Sequence, residues 1–185
     1  MSQDTNGLSI STGVTAALEI DFILSQPQLR RWHALDVERW LGPTRRFELG
    51  LSVRNRVVQE VTVIGLTAEL LTREPFELRH LAGVAEMRYR LLVTDARQWR
   101  VSLERKHDFH DPDAVWIRDS RWIAVEYDAG GYSRERLEQK ISGFRSIYGH
   151  GAQVWGCSSQ ARVPVVKRLL EPHGGAVFYA PWLEV

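Results

Sequence analysis

The sequence predicts an α/β protein: a helix, a three-strand meander, a helix, a strand, a helix and a strand in one mixed sheet, preceded by a small, mostly helical N-terminal region. Three observations carry that reading. Leu78, Leu81, Ala82, Ala85, Tyr89 and Leu92 recur at helical spacing on one face of residues 77–93. The runs "DAVWIR" (113–118) and "RWIAVEYD" (121–128) are separated only by Asp119 and Ser120, as in a tight hairpin. After them, helical and strand patterns alternate, which makes the later strands parallel neighbours joined by helical crossovers.

The elements follow in order. Residues 1–13 read as a disordered or extended tail. "GVTAALEIDFILS" and "QPQLRRWHALDVERWLG" read as helices, and "LSVRNRVVQEVTVIGLTAELL" as a third helix running into a strand-like segment, with β-branched residues crowded at 57–64. Arg-bearing short helices followed by an extended segment suit a degenerate winged helix; an ordinary packing cap has the same pattern. "TREP" (72–75) divides this region, 14–74, from the α/β domain, 75–185. Within that domain "QWRVSLER" (98–105) is the first strand of the meander. Ser133 is placed to cap a helix whose stripe is Leu137, Ile141, Phe144 and Tyr148, and which ends near Gly149 or Gly151. "AQVWGCS" is the next strand, "PVVKRLLEP" a helix with Pro164 in its first turn, and "AVFYA" the closing strand.

Composition narrows the class. The chain has 185 residues, seven Trp, six Phe and five Tyr, and 25% charged residues, the profile of a folded domain with a small appendage. Its single cysteine, Cys157, excludes an intramolecular disulfide and a multi-cysteine zinc site, and its place in a strand makes it a buried thiol in a reducing compartment. The start "MSQDTNGLSISTGVT" has no basic stretch followed by an apolar run, and no window approaches the roughly 20 apolar residues of a membrane span. A cytoplasmic protein with no membrane partner is expected. Net charge is +1, yet residues 28–56 hold seven Arg against three acids, so Arg45, Arg46, Arg54 and Arg56 form a candidate phosphate-binding patch; a solvated surface is the alternative.

The chemistry concentrates after residue 110. Alternate strand residues share a face, so Glu126 and Asp128 point the same way, and a two-residue turn sets Asp113 beside them. Three clustered carboxylates need a shared proton or cation, and hard oxygen donors favour Mg²⁺ or Mn²⁺. Lys140 lies at the edge of the buried arc of its helix, with its stem directed toward the sheet, where an ammonium needs an acidic partner. The chain has only three Lys among 24 basic residues, which gives this one weight; a snorkelling surface lysine is the other reading.

"PDAVW", then "WIAVEYD", then a helix carrying Lys140 resembles the PD-(D/E)XK nuclease superfamily. More narrowly, "LRHLAGVAEMRYRLLVT", "PDAV", "VEYDAG" and "LEQKISGF" resemble the replication-relaxation family of plasmid and mobile-element proteins, over residues 76–160. The resemblance implies a restriction-endonuclease-like core and a DNA-binding protein, with Mg²⁺-dependent endonuclease activity in plasmid replication or mobile-element processing. It assigns metal binding to Asp113 and Glu126. The lysine expected two residues after the glutamate is replaced by Asp128. Either Lys140 supplies the ammonium from the following helix, so that Asp113, Glu126, Asp128 and Lys140 form the catalytic set, or the site binds DNA without cutting it. A protein-interaction domain whose acids pair with Arg118 and Arg121 is a third reading. Many nucleases of this fold are homodimers, but no heptad or apolar patch in the sequence supports that independently.

Other motifs are weighed beside these. His107, His110 and Asp111 have helical ligand spacing but sit in a predicted loop, where a surface cluster is the simpler reading. Gly130 and Gly131 precede a helix, as a phosphate-contacting turn or a plain strand-to-helix turn would. Glu86 is either a further ligand or a solvent-facing helix acid.

Overall fold

The computed structural model describes residues 5–52, 57–103 and 110–184. It is a mixed α/β structure with one antiparallel and one mixed sheet. The chain divides into two compact units, residues 1–82 with 182–185, and residues 83–181. The division falls inside a helix rather than at the "TREP" break.

In the first unit, helix α1 (Thr5–Asp21) covers most of the expected first helix and also residues 5–13 of the expected disordered or extended tail. Strand β1 (Ile23–Ser25) follows and leads directly into α2 (Gln26–His33). Ser25 and Gln28 form a reciprocal capping box, and Pro27 sits in the first turn, where its missing N–H costs nothing. The helix stops at Ala34, which adopts the left-handed conformation at φ 50°, so the long second helix read from the sequence is cut short. Only a 3₁₀ turn, Val37–Arg39, remains of its second half.

The expected third helix is instead a hairpin of β2 (Thr44–Ser52) and β3 (Val57–Gly65), giving an antiparallel sheet of order β1-β3-β2. The physical reason is period two: Arg45, Phe47 and Leu49 are the more covered residues, while Arg46, Glu48 and Gly50 are exposed. An arginine on the inward phase hid the alternation. In β3 the β-branched run Val61–Ile64 is buried, as strand packing favours. Ser25 Oγ donates to the Trp182 carbonyl at 2.8 Å, and Gln28 Nε2 to the Ala82 carbonyl at 2.8 Å.

Helix α3 (Pro75–Arg90) contributes its Gly83–Arg90 portion to the second unit. The sheet runs β4 (Trp99–Val101), β5 (Ala114–Arg118), β6 (Arg121–Asp128), β7 (Gln153–Cys157) and β8 (Ala176–Tyr179) in spatial as well as chain order. The first three pair antiparallel, and β6, β7 and β8 pair parallel. Asp119 and Ser120 both take positive φ, 49° and 62°, which matches a two-residue hairpin to strand twist. Helices α4 (Arg134–Tyr148) and α5 (Val163–Leu170) provide the two crossovers. Ser133 caps α4, its Oγ accepting from the Arg136 N–H.

The core under α4 and α5 joins Ala124, Leu137, Ile141, Phe144, Trp155, Cys157, Val166 and Leu170. Burying each large apolar side chain there contributes about 1.5–3 kcal/mol, so this layer fixes α4 against β6 and β7. On the other face, a Cβ added to Gly83 would collide with the Tyr127 ring; glycine is what lets that strand residue approach α3. The two contacts show that β6 alternates as predicted, with Ala124 toward α4 and Tyr127 toward α3. Val154, Trp155 and Gly156 in β7 are buried without alternation, as expected of a strand covered on both faces. No helix among the described residues is long and apolar enough to cross a membrane.

Candidate functional site

The site is assembled by the β5–β6 register and the phase of α4. Ala114 pairs with Val125 and Trp116 with Ile123, so one step further along the ladder Asp113 stands opposite Glu126. Asp113 is anchored there: its Oδ2 accepts from the Tyr127 N–H at 2.8 Å, and its carbonyl accepts from the Ser102 N–H at 2.9 Å. Glu126 is fully buried. Lys140 reaches it from α4, with Nζ 2.9 Å from Glu126 Oε1, and also donates to the Asp111 carbonyl at 3.0 Å. The Lys140 ammonium lies over the rings of Phe144 and Tyr132, 5.1 and 5.9 Å from their centroids.

A residue that the sequence reading left aside completes this cluster. The Tyr132 hydroxyl donates to Glu126 Oε1 at 2.6 Å, so that one carboxylate oxygen holds two donors. Glu126 Oε2 is buried with no hydrogen-bond partner. Burial, and then the neighbouring Asp113 charge, push the Glu126 carboxyl up to about 7; Lys140 and Tyr132 pull it the other way without prevailing. An ion pair at 2.9 Å does not keep this acid in the ordinary range, because desolvation is the larger effect.

Asp128 departs from the expected three-acid cluster. Its Oδ2 is 2.7 Å from Arg162 Nε and its Oδ1 accepts from the Gly130 N–H at 2.8 Å, so both oxygens are engaged inside the protein. Arg162 also donates to the Tyr132 carbonyl at 2.9 Å. The structure thus brings Asp113, Glu126 and Lys140 together and places Asp128 in a separate ion pair. Among the described residues there is no group of three or more His, Cys, Asp or Glu side chains suited to a metal ion. Glu86 is buried rather than solvent-facing, and lies 2.8 Å from Arg90 Nε.

The other candidates resolve unevenly. Arg45 donates at 2.6 Å to both the Leu71 and Arg73 carbonyls and lies 5.5 Å from the Phe47 ring, which makes it a structural brace rather than a surface contact for phosphate. The inward phase of β2 is the reason. Arg46 is exposed and 3.6 Å from Glu60. Arg54, Arg56 and His107 lie outside the described residues. His110 is exposed, and Asp111 contributes its carbonyl to Lys140 rather than a side-chain ligand. Arg118 stacks near Trp116 and is 3.6 Å from Asp119, away from the site acids, whose cationic partners are Lys140 and Arg162. Cys157 is buried and free, its thiol pushed up to about 12 by burial and by Asp128.

No family model, curated protein or solved structure matches this chain.

Proposed function

We propose that this chain is a DNA-acting protein with a PD-(D/E)XK-like core, a divalent-metal-dependent endonuclease whose lysine has migrated from the strand to the following helix. One observation carries the reading: Lys140 Nζ, arriving from α4, lies 2.9 Å from Glu126, while the strand position of the usual lysine holds Asp128. The element order from α3 onward agrees with that core.

A divalent cation fits the residues present. Mg²⁺ keeps several waters and commonly takes only one or two protein carboxylates, so Asp113 and Glu126 suffice as donors. The buried, unpartnered Glu126 Oε2 is the atom such a cation would satisfy. When bound, the metal would supply an activated water and neutralise charge developing on a phosphodiester. The chain's own residues do the rest. Lys140 and Tyr132 favour the ionised form of Glu126 against its burial, Tyr127 N–H orients Asp113, and the Lys140 ammonium adds positive charge for a phosphate.

DNA engagement draws on the first unit. Helix, strand, helix and hairpin with sheet order β1-β3-β2 agree with a winged helix whose third helix has shrunk to the Val37–Arg39 turn. Exposed Arg39 and Arg46 supply basic groups, and Arg54 and Arg56, outside the described residues, add to the positive charge of this part of the sequence. Work in plasmid replication or mobile-element processing follows from the family resemblance.

The second reading is a non-cutting DNA-binding or replication-accessory module. It is favoured by the Asp128–Arg162 pair, in which the guanidinium near the usual lysine position is already neutralised by Asp128.

Supercoiled plasmid incubated with the purified protein and Mg²⁺ or Mn²⁺ separates the two. Nicking that is lost in both Glu126→Ala and Lys140→Ala supports the nuclease; DNA binding without nicking in any divalent metal sinks it and leaves the accessory module.

A further inference from the structure

We infer that Tyr132 is a positioning residue of the Glu126 cation site and that the Asp128–Arg162 pair is the clamp that sets it. The inference rests on the cation-binding reading above, and it gives a role to the aspartate that stands where a lysine is expected.

The connection can be followed bond by bond. Strand β6 ends at Asp128 and α4 begins after Ser133, so the segment 129–133 must turn sharply between them. Gly130, at φ 89°, makes that turn, and its N–H donates to Asp128 Oδ1. Arg162, in the turn before α5, donates Nε to Asp128 Oδ2 at 2.7 Å and its NH2 group to the Tyr132 carbonyl at 2.9 Å. One guanidinium therefore ties the strand end to the main chain of the residue that bears the phenol. With that main chain fixed, the phenol reaches back 2.6 Å to Glu126 Oε1.

The consequence for Glu126 is geometric. Lys140 and Tyr132 converge on the same oxygen, at 2.9 and 2.6 Å. Two donors on Oε1 fix the carboxylate rotation and leave Oε2 as the buried oxygen without a hydrogen-bond partner, the one a cation would satisfy. A partly buried tyrosine could satisfy its hydroxyl on any nearby carbonyl. Here it takes the one acid that faces Asp113, and the guanidinium that aligns it is itself neutralised by Asp128. Partners of this kind behind a metal ligand alter affinity about 10–100-fold when removed.

Mn²⁺ binding to the full-length chain at pH 8, read from the free-ion electron paramagnetic resonance signal, tests this. Wild type, Glu126→Gln, Tyr132→Phe, Arg162→Met and the Tyr132→Phe/Arg162→Met double variant are compared, each confirmed folded by circular dichroism. The expected result is that wild type binds, Glu126→Gln does not, and Tyr132→Phe binds about 10-fold more weakly. The double variant should be no weaker than the weaker single, because both act through one hydrogen bond. Tyr132→Phe removes a single oxygen, so it decides the matter even if Arg162→Met folds poorly. A merely structural tyrosine would lower the melting temperature and leave the Mn²⁺ affinity at the wild-type value, which overturns the inference while the cation site stands. Wild type that fails to bind Mn²⁺, or Glu126→Gln that binds as well as wild type, overturns the cation reading and this inference together.

Discussion

Glu126 and Asp128 lie two residues apart on the same face of one strand, both fully buried, each beside one cation at 2.9 or 2.7 Å. Their surroundings nevertheless differ in kind. Asp128 has a guanidinium on one oxygen and a backbone N–H on the other. Glu126 has two donors crowded on one oxygen, none on the second, and Asp113 across the ladder. Counting salt bridges makes the two equivalent; counting satisfied atoms separates a structural pair from a site with unfilled capacity. A complete pair is neutral in its demands on ligand, whereas an incomplete one is held at a cost that a cation can relieve.

The comparison is broken most directly at Asp128. Asp128→Ala leaves Arg162 without its partner and removes a buried pair, so a loss of about 3 kcal/mol in urea unfolding is expected, the low end for such pairs because Arg162 is partly exposed. That loss is read without divalent metal, since the pair also sets Tyr132 and with it the cation site. Equal stability of mutant and wild type would show the pair to be idle.

Lys140→Met should behave differently, because its cost depends on pH. The Glu126 carboxyl sits at about 7, above its ordinary 4.5, so its favourable contribution is complete below about pH 4.5 and is lost as pH rises through 7. Removing the ammonium pushes that carboxyl further up. The variant should be about 2 kcal/mol less stable than wild type at pH 8 and nearly equal to it at pH 5, where the acid is protonated in both. A cost that is the same at both pH values would mean that Lys140 acts through packing alone.

Divalent metal sharpens the contrast at a smaller scale. At pH 8 and ten times the dissociation constant, Mg²⁺ should add about 1.4 kcal/mol to wild type by mass action. Thermal melting should show no such gain for Glu126→Gln and an undiminished gain, from a lower baseline, for Asp128→Asn only if the clamp still holds Tyr132. Smallest of all is Arg46→Ala, within about 0.5 kcal/mol in stability since its ion pair is exposed, against about 1–2 kcal/mol for Arg45→Ala, which strands two carbonyls.

The second unit was legible in the sequence because its signals are local. Glu126 and Tyr127 alternate between α4 and α3 as a strand dictates, Ser133 caps where the apolar stripe begins, and the helical phase of Lys140 brings its ammonium to the sheet. The hairpin β2–β3 was not legible, since Arg45 occupies an inward position that reads as surface until the Leu71 and Arg73 carbonyls are seen to receive it. Nor was the fate of Asp128. Arg162 is 34 positions further along the chain and arrives through a crossover whose packing, not whose spacing, sets the contact. Tyr132 carries no signal of its own in the sequence: it follows two glycines in a turn, and the direction that returns its hydroxyl to Glu126 is set by the conformation of that turn.

The lone thiol on β7 offers a clock. Cys157 pairs in register with Asp128, is fully covered, and is held almost entirely in its unreactive protonated form. An alkylating reagent can therefore modify it only when the α4–α5 layer lifts from the sheet or the chain unfolds. The labelling rate of the unmodified protein thus times the opening of the helical layer that carries Lys140, with no probe to be introduced and no competing cysteine to subtract.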